Sequence, residues 1–140
     1  KILIMNAKHV VKTFFESDFY KDTSILEKTL HEDFELYWNS SSGYFKLNKE
    51  TFTQMLLEMS KSFEFLRCDI THLLEEDGTV TLRHSFHVKT IENPDDITPL
   101  AHFISIFEVK DGQLYKGHQI SQPADETHEN LKSFLPKSVE

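Results

Sequence analysis

The segment 63–92, FEFLRCDITHLLEEDGTVTLRHSFHVKTIE, decides the fold because it contains two long strand patterns on either side of Asp77-Gly78. Asp-Gly between two alternating runs is typical of a tight β-hairpin turn. A three-residue loop that includes Glu76, with glycine in the left-handed conformation, makes one hairpin face apolar apart from His84, whereas a two-residue loop would mix polar and apolar residues. The pattern therefore favours the three-residue loop, which sets these residues opposite each other: Leu74 and Val80, Ile70 and His84, Cys68 and Phe86, Leu66 and Val88.

A second hairpin is predicted around Asp111-Gly112, between strand patterns at about 100–110 and 113–122. The same three-residue loop places His118 opposite Ile104 and diagonal to His102. Both faces of the first of these strands are apolar, with Leu100, Ile104 and Ile106 on one and Phe103, Phe107 and Val109 on the other. A strand that is apolar on both faces needs cover on both, so we expect a second copy of the chain to cover the face that the helices leave open.

The residues before the hairpins predict a helix, a second short helix, a strand and a third helix. The first helix begins after Asn6, a residue suited to an N-cap, and the second begins at Ser24, which forms a capping-box pattern with Glu27. The strand covers about 34–38, a polar loop follows at 39–43, and the third helix begins near Asn48. We therefore expect one α+β domain over 1–122 and a tail over 123–140 with enough apolar residues for a short helix.

The composition limits the classes of partner. The chain has 140 residues with 15 basic and 23 acidic side chains and no cluster of lysine and arginine that could meet the phosphates of nucleic acid or of an anionic membrane. Cys68 is the only cysteine, which excludes an intrachain disulfide and favours a reducing, cytoplasmic setting. Neither a metal nor a cofactor is expected. The 12 phenylalanines predict either an aromatic-lined pocket or a core with large side chains.

Three short motifs and the order of the elements carry a resemblance to a known superfamily. Val10-Val11 opens the first helix, Glu32-Asp33 leads into the first strand, and DGQL at 111–114 precedes the last strand. With these motifs in this order, the chain resembles the nuclear transport factor 2-like superfamily, in its SnoaL-like and ketosteroid-isomerase-like branch. The resemblance implies a cystatin-like roll: a cone-shaped, strongly curved and mostly antiparallel sheet, three helices enclosing a pocket, and an outer sheet face that commonly forms a homodimer.

The catalytic residues of the superfamily do not carry over onto this chain. Aligning the first helix and strand without gaps places the isomerase's tyrosine at Phe14 and its aspartate base at Trp38, and neither side chain can do that chemistry. The acid/base aspartate of the SnoaL-like cyclases falls near Gln122, whose amide cannot shuttle protons. Asp69 with Arg83 is similar to the Arg/Asp pair of the epoxide hydrolases, but both lie on the polar row of the first hairpin, where a surface ion pair is the stronger interpretation.

Histidine is the remaining candidate for acid/base catalysis. His84, His102 and His118 each lie in an otherwise apolar row of a different strand, so their imidazoles converge if all three rows face the cavity. The alternative is that each is a core or surface histidine that hydrogen-bonds to backbone or water. A metal site is not favoured, because His84 and His87 point to opposite faces of one strand.

Three functions stay open. The favoured hypothesis is a homodimeric protein that binds a small hydrophobic molecule without catalysis. The second is a cofactor-free isomerase, dehydratase or cyclase with pocket histidines as acid and base, and the third is a protein-interaction module that uses the row of Phe103 and Phe107. The expected ligand-binding residues, for which plain core packing is the alternative, are Trp38, Phe15, Phe19, Met55, Met59, Phe86, Ile104 and Gln122.

Overall fold

The computed structural model describes residues 6–124 and 127–133 of the chain. In chain order its elements are α1 (Ala7–Phe15), α2 (Thr23–Thr29), β1 (Leu30–Ser40), β2 (Gly43–Asn48), α3 (Lys49–Ser60), β3 (Phe63–Glu76), β4 (Thr79–Thr90), β5 (Thr98–Lys110), β6 (Gln113–Pro123) and α4 (His128–Ser133). The strands of these described residues form one curved sheet in the order β2-β1-β6-β5-β4-β3, mostly antiparallel, with β1 and β6 parallel. The α+β fold class expected from the sequence is confirmed. No helix in the described ranges has the length and apolar character needed to span a membrane.

The first helix is fixed by its cap and by aromatic packing. Asn6 Oδ1 accepts hydrogen bonds from the backbone N–H groups of Lys8 and His9, at 2.8 and 3.3 Å, and so caps α1 as expected. The three- and four-residue spacing of its apolar residues puts Phe15 on the buried side. The Phe15 ring lies 5.7 Å from the ring of Phe107 on β5, so α1 packs on the sheet face that carries the core, called the inner face below.

Two local features of the first half differ from the sequence-based expectation. Asp22, rather than Ser24, caps α2, because the Asp22 carboxylate accepts the backbone N–H of Ser24 at 2.9 Å. The loop expected at 39–43 is shorter, because β1 continues to Ser40 and an edge strand that was not predicted, β2, begins at Gly43 and pairs antiparallel with β1. Most side chains of β2 are exposed, so the strand lacks the alternating hydrophobic pattern that reveals a half-buried strand. The third helix begins after Asn48, as expected.

Both long hairpins close with two-residue turns, so the prediction of three-residue loops is wrong. Asp77 and Gly78 have φ of 52° and 83°, and Asp111 and Gly112 have φ of 55° and 74°. Positive φ at both central positions is the geometry of a type I′ turn, which matches the right-handed twist of the strands better than other tight turns do.

The extra residue of the first hairpin lies inside β3 instead of in the turn. The register shifts between Ile70 and His72, which is a β-bulge. Beyond this bulge the predicted pairs Ile70–His84, Cys68–Phe86 and Leu66–Val88 are confirmed. Between the bulge and the turn the prediction is wrong, since Leu74 lies opposite Thr81 instead of Val80 and is 63% exposed.

The second hairpin has its bulge on β6. Val109 pairs with Leu114 and Glu108 with Lys116, so Tyr115 is the extra residue. Because the bulge adds one residue, even-numbered residues before it and even-numbered residues after it point to opposite faces of the sheet. Leu114 is therefore fully buried on the inner face, whereas the residues at 116, 118 and 120 lie on the opposite face, called the outer face below.

The register between β4 and β5 decides which side of β5 meets the helices. Phe103 lies opposite His84, and His102 lies opposite Ser85. Phe103 and Phe107 therefore face inward, and the row that contains His102 and Ile104 faces outward. Convergence of the three histidines in the cavity would require the opposite orientation of β5. His118 lies opposite Ile106 instead of Ile104, so that predicted pair is also wrong.

The outer face is partly covered by α4. Asn130 Nδ2 lies 2.9 Å from His102 Nε2, and Arg83 Nη1 donates to the carbonyl oxygen of Ser133 at 3.2 Å. Other residues of this face, which we call the isoleucine patch, are exposed in the described structure: Ile104 by 53%, Ile106 by 39% and Ile120 by 67%.

Candidate ligand-binding cavity

A cavity of about 580 Å³ lies between the helices and the inner face of the sheet. Phe15 of α1 and Phe19 of the following turn line one side, Met55 and Met59 of α3 line another, and Phe103 contributes from the sheet. The helical residues are there because their three- and four-residue spacing gives each helix one apolar side. The wall is therefore mostly aromatic and aliphatic.

The exposed members of the lining mark the opening of the cavity to solvent. Ser41 and Ser42 form the turn between β1 and β2, and Gln122 and Pro123 end β6. The parallel pairing of β1 with β6 brings these two segments together, since Asn39 lies opposite Ile120. The opening thus lies between the β1–β2 turn and the end of β6.

Gln119 and Ser121 of β6 bring polar groups to the cavity wall, further along β6 from its end at the opening. Trp38 Nε1 donates a hydrogen bond to Ser121 Oγ at 2.8 Å, and Ser105 Oγ donates to Gln119 Oε1 at 3.0 Å. Among the described residues of the lining there is no Asp, Glu, His, Lys, Arg or Cys. Apolar walls with a few fixed, neutral polar groups can hold and orient a small molecule.

His84 lies behind the cavity wall instead of in it. The residue is fully buried, and its ring centroid lies 4.8 Å from that of Phe15 and 5.1 Å from that of Phe103. Its Nε2 lies 3.0 Å from Ser105 Oγ, and its Nδ1 lies 3.6 Å from Cys68 Sγ. Desolvation lowers the pKa of His84 to about 3, so the imidazole is neutral at ordinary pH. His84 is therefore a core histidine whose ring nitrogens both have hydrogen-bond partners, which is the alternative stated in the sequence analysis.

The predicted catalytic histidines do not converge, so the expectation that they share the cavity is wrong. His102 and His118 lie on the outer face, where His102 contacts Asn130 of α4 and the His118 ring stacks on Tyr37 at 4.9 Å. The β4/β5 register sets Phe103 instead of His102 beside His84. The bulge on β6 separates the face of Leu114 from the face of His118.

The predicted ligand-binding residues divide between the two faces. Trp38, Phe15, Phe19, Met55, Met59, Phe86 and Gln122 line the cavity, and their role in binding stays a prediction. The prediction that Ile104 binds the ligand is wrong, because Ile104 lies on the outer face and is 53% exposed. The sequence reasoning missed Gln119 and Ser121. A usable signal is that small or polar residues, Gly117, Gln119 and Ser121, occupy every second position along β6.

A second polar cluster lies on the outer face, away from the cavity. Asp69 accepts hydrogen bonds from Arg67 Nε and Nη2 at 3.1 and 3.0 Å, and its Oδ2 lies 2.9 Å from His87 Nδ1. Burial lowers the pKa of His87, and the neighbouring carboxylate of Asp69 opposes that effect. Asp69 thus pairs with Arg67 and His87, while Arg83 reaches Ser133 of α4. The arrangement does not bring this carboxylate to the cavity.

The sequence profile of the SnoaL-like domain matches residues 11–116, from α1 into β6. This chain belongs to the SnoaL-like domain family. The match confirms the resemblance stated from the sequence, and it includes most of the cavity wall of this SnoaL-like protein. No curated protein sequence matches it.

Solved structures with low sequence identity share the fold of this SnoaL-like protein. IdmH of Streptomyces antibioticus, a candidate polyketide cyclase, has a TM-score of 0.68 at 12% identity, over 83% of this chain and 91% of that one. A candidate polyketide cyclase of Bacillus cereus has a TM-score of 0.62 at 20% identity, over 90% and 77%. AusH of Aspergillus nidulans has a TM-score of 0.66 at 13% identity, over 89% and 86%. At these identities the likeness establishes the fold alone.

Proposed function

We propose that this SnoaL-like protein binds a small, neutral, hydrophobic molecule in the cavity between its helices and its sheet. The observation that carries the proposal is the lining, about 580 Å³ of space with aromatic walls and no charged side chain among the described lining residues. Sites for small molecules typically have volumes of roughly 300–1,000 Å³. A wall without charge favours a neutral ligand, because moving a charged group from water into an apolar cavity is costly.

The aromatic wall favours a ligand with a flat ring system. Phe86 and Phe103 meet edge to face at 5.3 Å, and Trp38 lies 6.1 Å from Phe103, so rings are presented in different orientations. Such surfaces favour stacked and edge-on contacts with a ligand ring. Two of the similar structures are of candidate polyketide cyclases, and a polyketide-derived ring compound is a ligand of the proposed kind.

Acid/base catalysis by histidine is not part of the proposal. Burial lowers the pKa of His84 to about 3, and the rings of Phe15 and Phe103 pack against it. His102 and His118 belong to the outer face. Gln119 and Ser121 are neutral, and they offer a ligand hydrogen bonds instead of proton transfer. The expectation of no metal and no cofactor stays a prediction from the sequence.

Trp38 allows a direct test, since it is the only tryptophan of the chain and lines the cavity. Titration with fluorenone, a neutral tricyclic ketone, should quench Trp38 emission saturably and raise the melting temperature. Ala101→Phe adds a ring at a lining position and should weaken binding at least about tenfold, because it fills the space. Ile91→Phe, at an exposed position outside the lining, is the control and should bind as the parent does. Equal affinity of Ala101→Phe and the parent would place the ligand elsewhere and contradict the proposal.

We also propose that two copies associate through the isoleucine patch. Ile104 lies opposite Ile120 on adjacent strands inside the sheet, so a second layer can cover them but another strand cannot. Residues of both charges, Glu35 and Lys116, lie beside the patch, which suits a two-fold arrangement of identical surfaces.

A different partner through Phe103 and Phe107 is not proposed, since that row faces the cavity. A cytoplasmic setting, supported by the free thiol of Cys68, stays a prediction.

A further inference from the structure

We propose that Gln119 selects ligands with a hydrogen-bond acceptor, such as the carbonyl oxygen of an aromatic ketone or quinone, and that a series of hydrogen-bonded side chains fixes this preference. The series runs behind the cavity wall from Cys68 through His84 and Ser105 to Gln119. The inference rests on the proposed function, because it assigns the ligand class of the same cavity.

Counting protons gives the direction of the hydrogen bonds. Ser105 Oγ donates its single proton to Gln119 Oε1 at 3.0 Å. His84 Nε2 lies 3.0 Å from the same Oγ, so it must be the protonated nitrogen and must donate to that oxygen. A neutral imidazole with a proton on Nε2 has its acceptor at Nδ1, which lies 3.6 Å from Cys68 Sγ.

Cys68 supplies the first donor of the series. Burial raises the pKa of its thiol, which therefore keeps its proton and can donate to His84 Nδ1. The opposite direction would require the imidazole to donate to the thiol sulphur, which is a weak acceptor, whereas imidazole nitrogen is a good one. The order Cys68 to His84 to Ser105 to Gln119 is thus the favoured one.

This order leaves donors for a ligand at the cavity wall. Gln119 Oε1 is occupied by Ser105, and no group in the described residues accepts a hydrogen bond from Gln119 Nε2. Two residues further along β6, Ser121 Oγ accepts from Trp38 Nε1, so its own proton is left for another acceptor. A carbonyl oxygen of a ligand beside Gln119 and Ser121 can accept from N–H and O–H donors. An N–H group of a ligand at the same place finds no acceptor on Gln119, because Ser105 occupies the amide oxygen.

Three tricyclic compounds of nearly equal shape separate these possibilities. Fluorene has no polar group, fluorenone adds a carbonyl acceptor and carbazole adds an N–H donor. Equilibrium dialysis should give fluorenone about fivefold tighter binding than fluorene, the size expected for one net hydrogen bond, and carbazole no advantage over fluorene. Tighter binding of carbazole than of fluorenone would overturn the inference, since it would mean that Gln119 presents its oxygen.

Variants of the chain distinguish positioning from general damage. Gln119→Met removes the amide donor and should lower the ratio of fluorenone affinity to fluorene affinity toward one. Gln119→Glu, whose carboxylate still accepts from Ser105 and presents a second oxygen, should reverse the preference in favour of carbazole. Ser105→Ala should reduce the ratio of fluorenone affinity to fluorene affinity, because the amide of Gln119 is then free to rotate. An unchanged preference in Gln119→Met would overturn the inference even if Ser105→Ala does not fold.

The proposed function and this inference fail in different ways. If neither fluorene nor fluorenone binds the parent protein, the cavity does not hold neutral ring compounds and both ideas fail. If fluorene binds and fluorenone binds no more tightly, the cavity proposal stands and the assignment of Gln119 is wrong.

Discussion

The imidazole of His84 lies almost parallel to the ring of Phe103, with 9° between the planes and 5.1 Å between the centroids. The two residues are direct partners across β4 and β5, so sheet register fixes the contact. Phe103 belongs to the cavity wall, and His84 supports it from behind. A histidine in this place acts on a ligand only through the groups that it holds, which are Ser105 and, through it, Gln119.

His84 should make the protein less stable as the pH falls from about 6.5 toward 3. Burial lowers the pKa of folded His84 from 6.5 to about 3, so between these values the unfolded chain binds a proton that the folded chain does not. At about pH 4.5 this difference amounts to roughly 2–3 kcal/mol of unfolding free energy. Urea denaturation near pH 7 and again at that lower pH measures the loss. In His84→Gln this part of the loss should vanish; an identical pH dependence in both proteins would contradict the assignment.

The thiol of Cys68 should react slowly in the folded protein. It is half-buried, its sulphur lies beside His84 Nδ1, and burial raises its pKa, so the reactive thiolate is scarce. Iodoacetamide labelling followed by mass spectrometry should be at least about a hundredfold slower in buffer than in concentrated urea. Similar rates in the two conditions would mean that the thiol is open to solvent.

Gly117→Ala should destabilise the fold by about 1–3 kcal/mol through overpacking. A Cβ at Gly117 would lie 2.5 Å from Phe107 Cε1 and 2.9 Å from Leu36 Cδ1. The Phe107 ring cannot move aside freely, because Phe15 packs against it at 5.7 Å. The double variant Gly117→Ala/Phe107→Leu should recover part of the loss in a urea titration. If the second substitution only adds to the first, the clash is not with Phe107.

Ile120→Lys should separate the proposed homodimer. Ile120 is 67% exposed in the centre of the sheet, and a pair of like charges across a two-fold interface opposes association. Light scattering should give the mass of two chains for the parent and of one for the variant. Ile91→Lys, which changes an isoleucine that is 56% exposed outside the patch, should keep the mass of the parent. A parent protein with the mass of one chain would contradict the homodimer.

The two hairpins illustrate how far a hydrophobic pattern determines register. The pattern requires an extra residue in each hairpin, and in the first the predicted and actual extra residues are both on β3, so the pairs beyond the bulge, such as Ile70 with His84, are predicted correctly. In the second, a three-residue loop takes its extra residue from β5, whereas Tyr115 belongs to β6. The pattern alone does not say which strand carries a bulge, because that depends on the curvature of the whole sheet.

The sequence predicts the site residues whose position depends on a single helix, but not those whose position depends on the register between two strands. Phe15, Met55 and Met59 follow from helical spacing alone and line the cavity, whereas Phe19, which also lines it, lies in the turn after α1. The inward side of β5 depends on its register with β4. The connection at 91–97 contains no two-residue turn motif that would set this register, so the sequence left the choice between Phe103 and His102 open.

The parallel pairing of β1 with β6 has a consequence for how the chain reaches its native state. It joins strands far apart in sequence, and contacts such as that of Asn39 with Ile120 form slowly because a long stretch of chain must be closed first. During synthesis the β1–β2 hairpin has no further neighbouring strand until β6 has left the ribosome, so a nascent chain has no complete rim around its cavity. Refolding on the order of milliseconds to seconds is expected for such non-local topology. The proposed binding of a ligand is then confined to the finished protein.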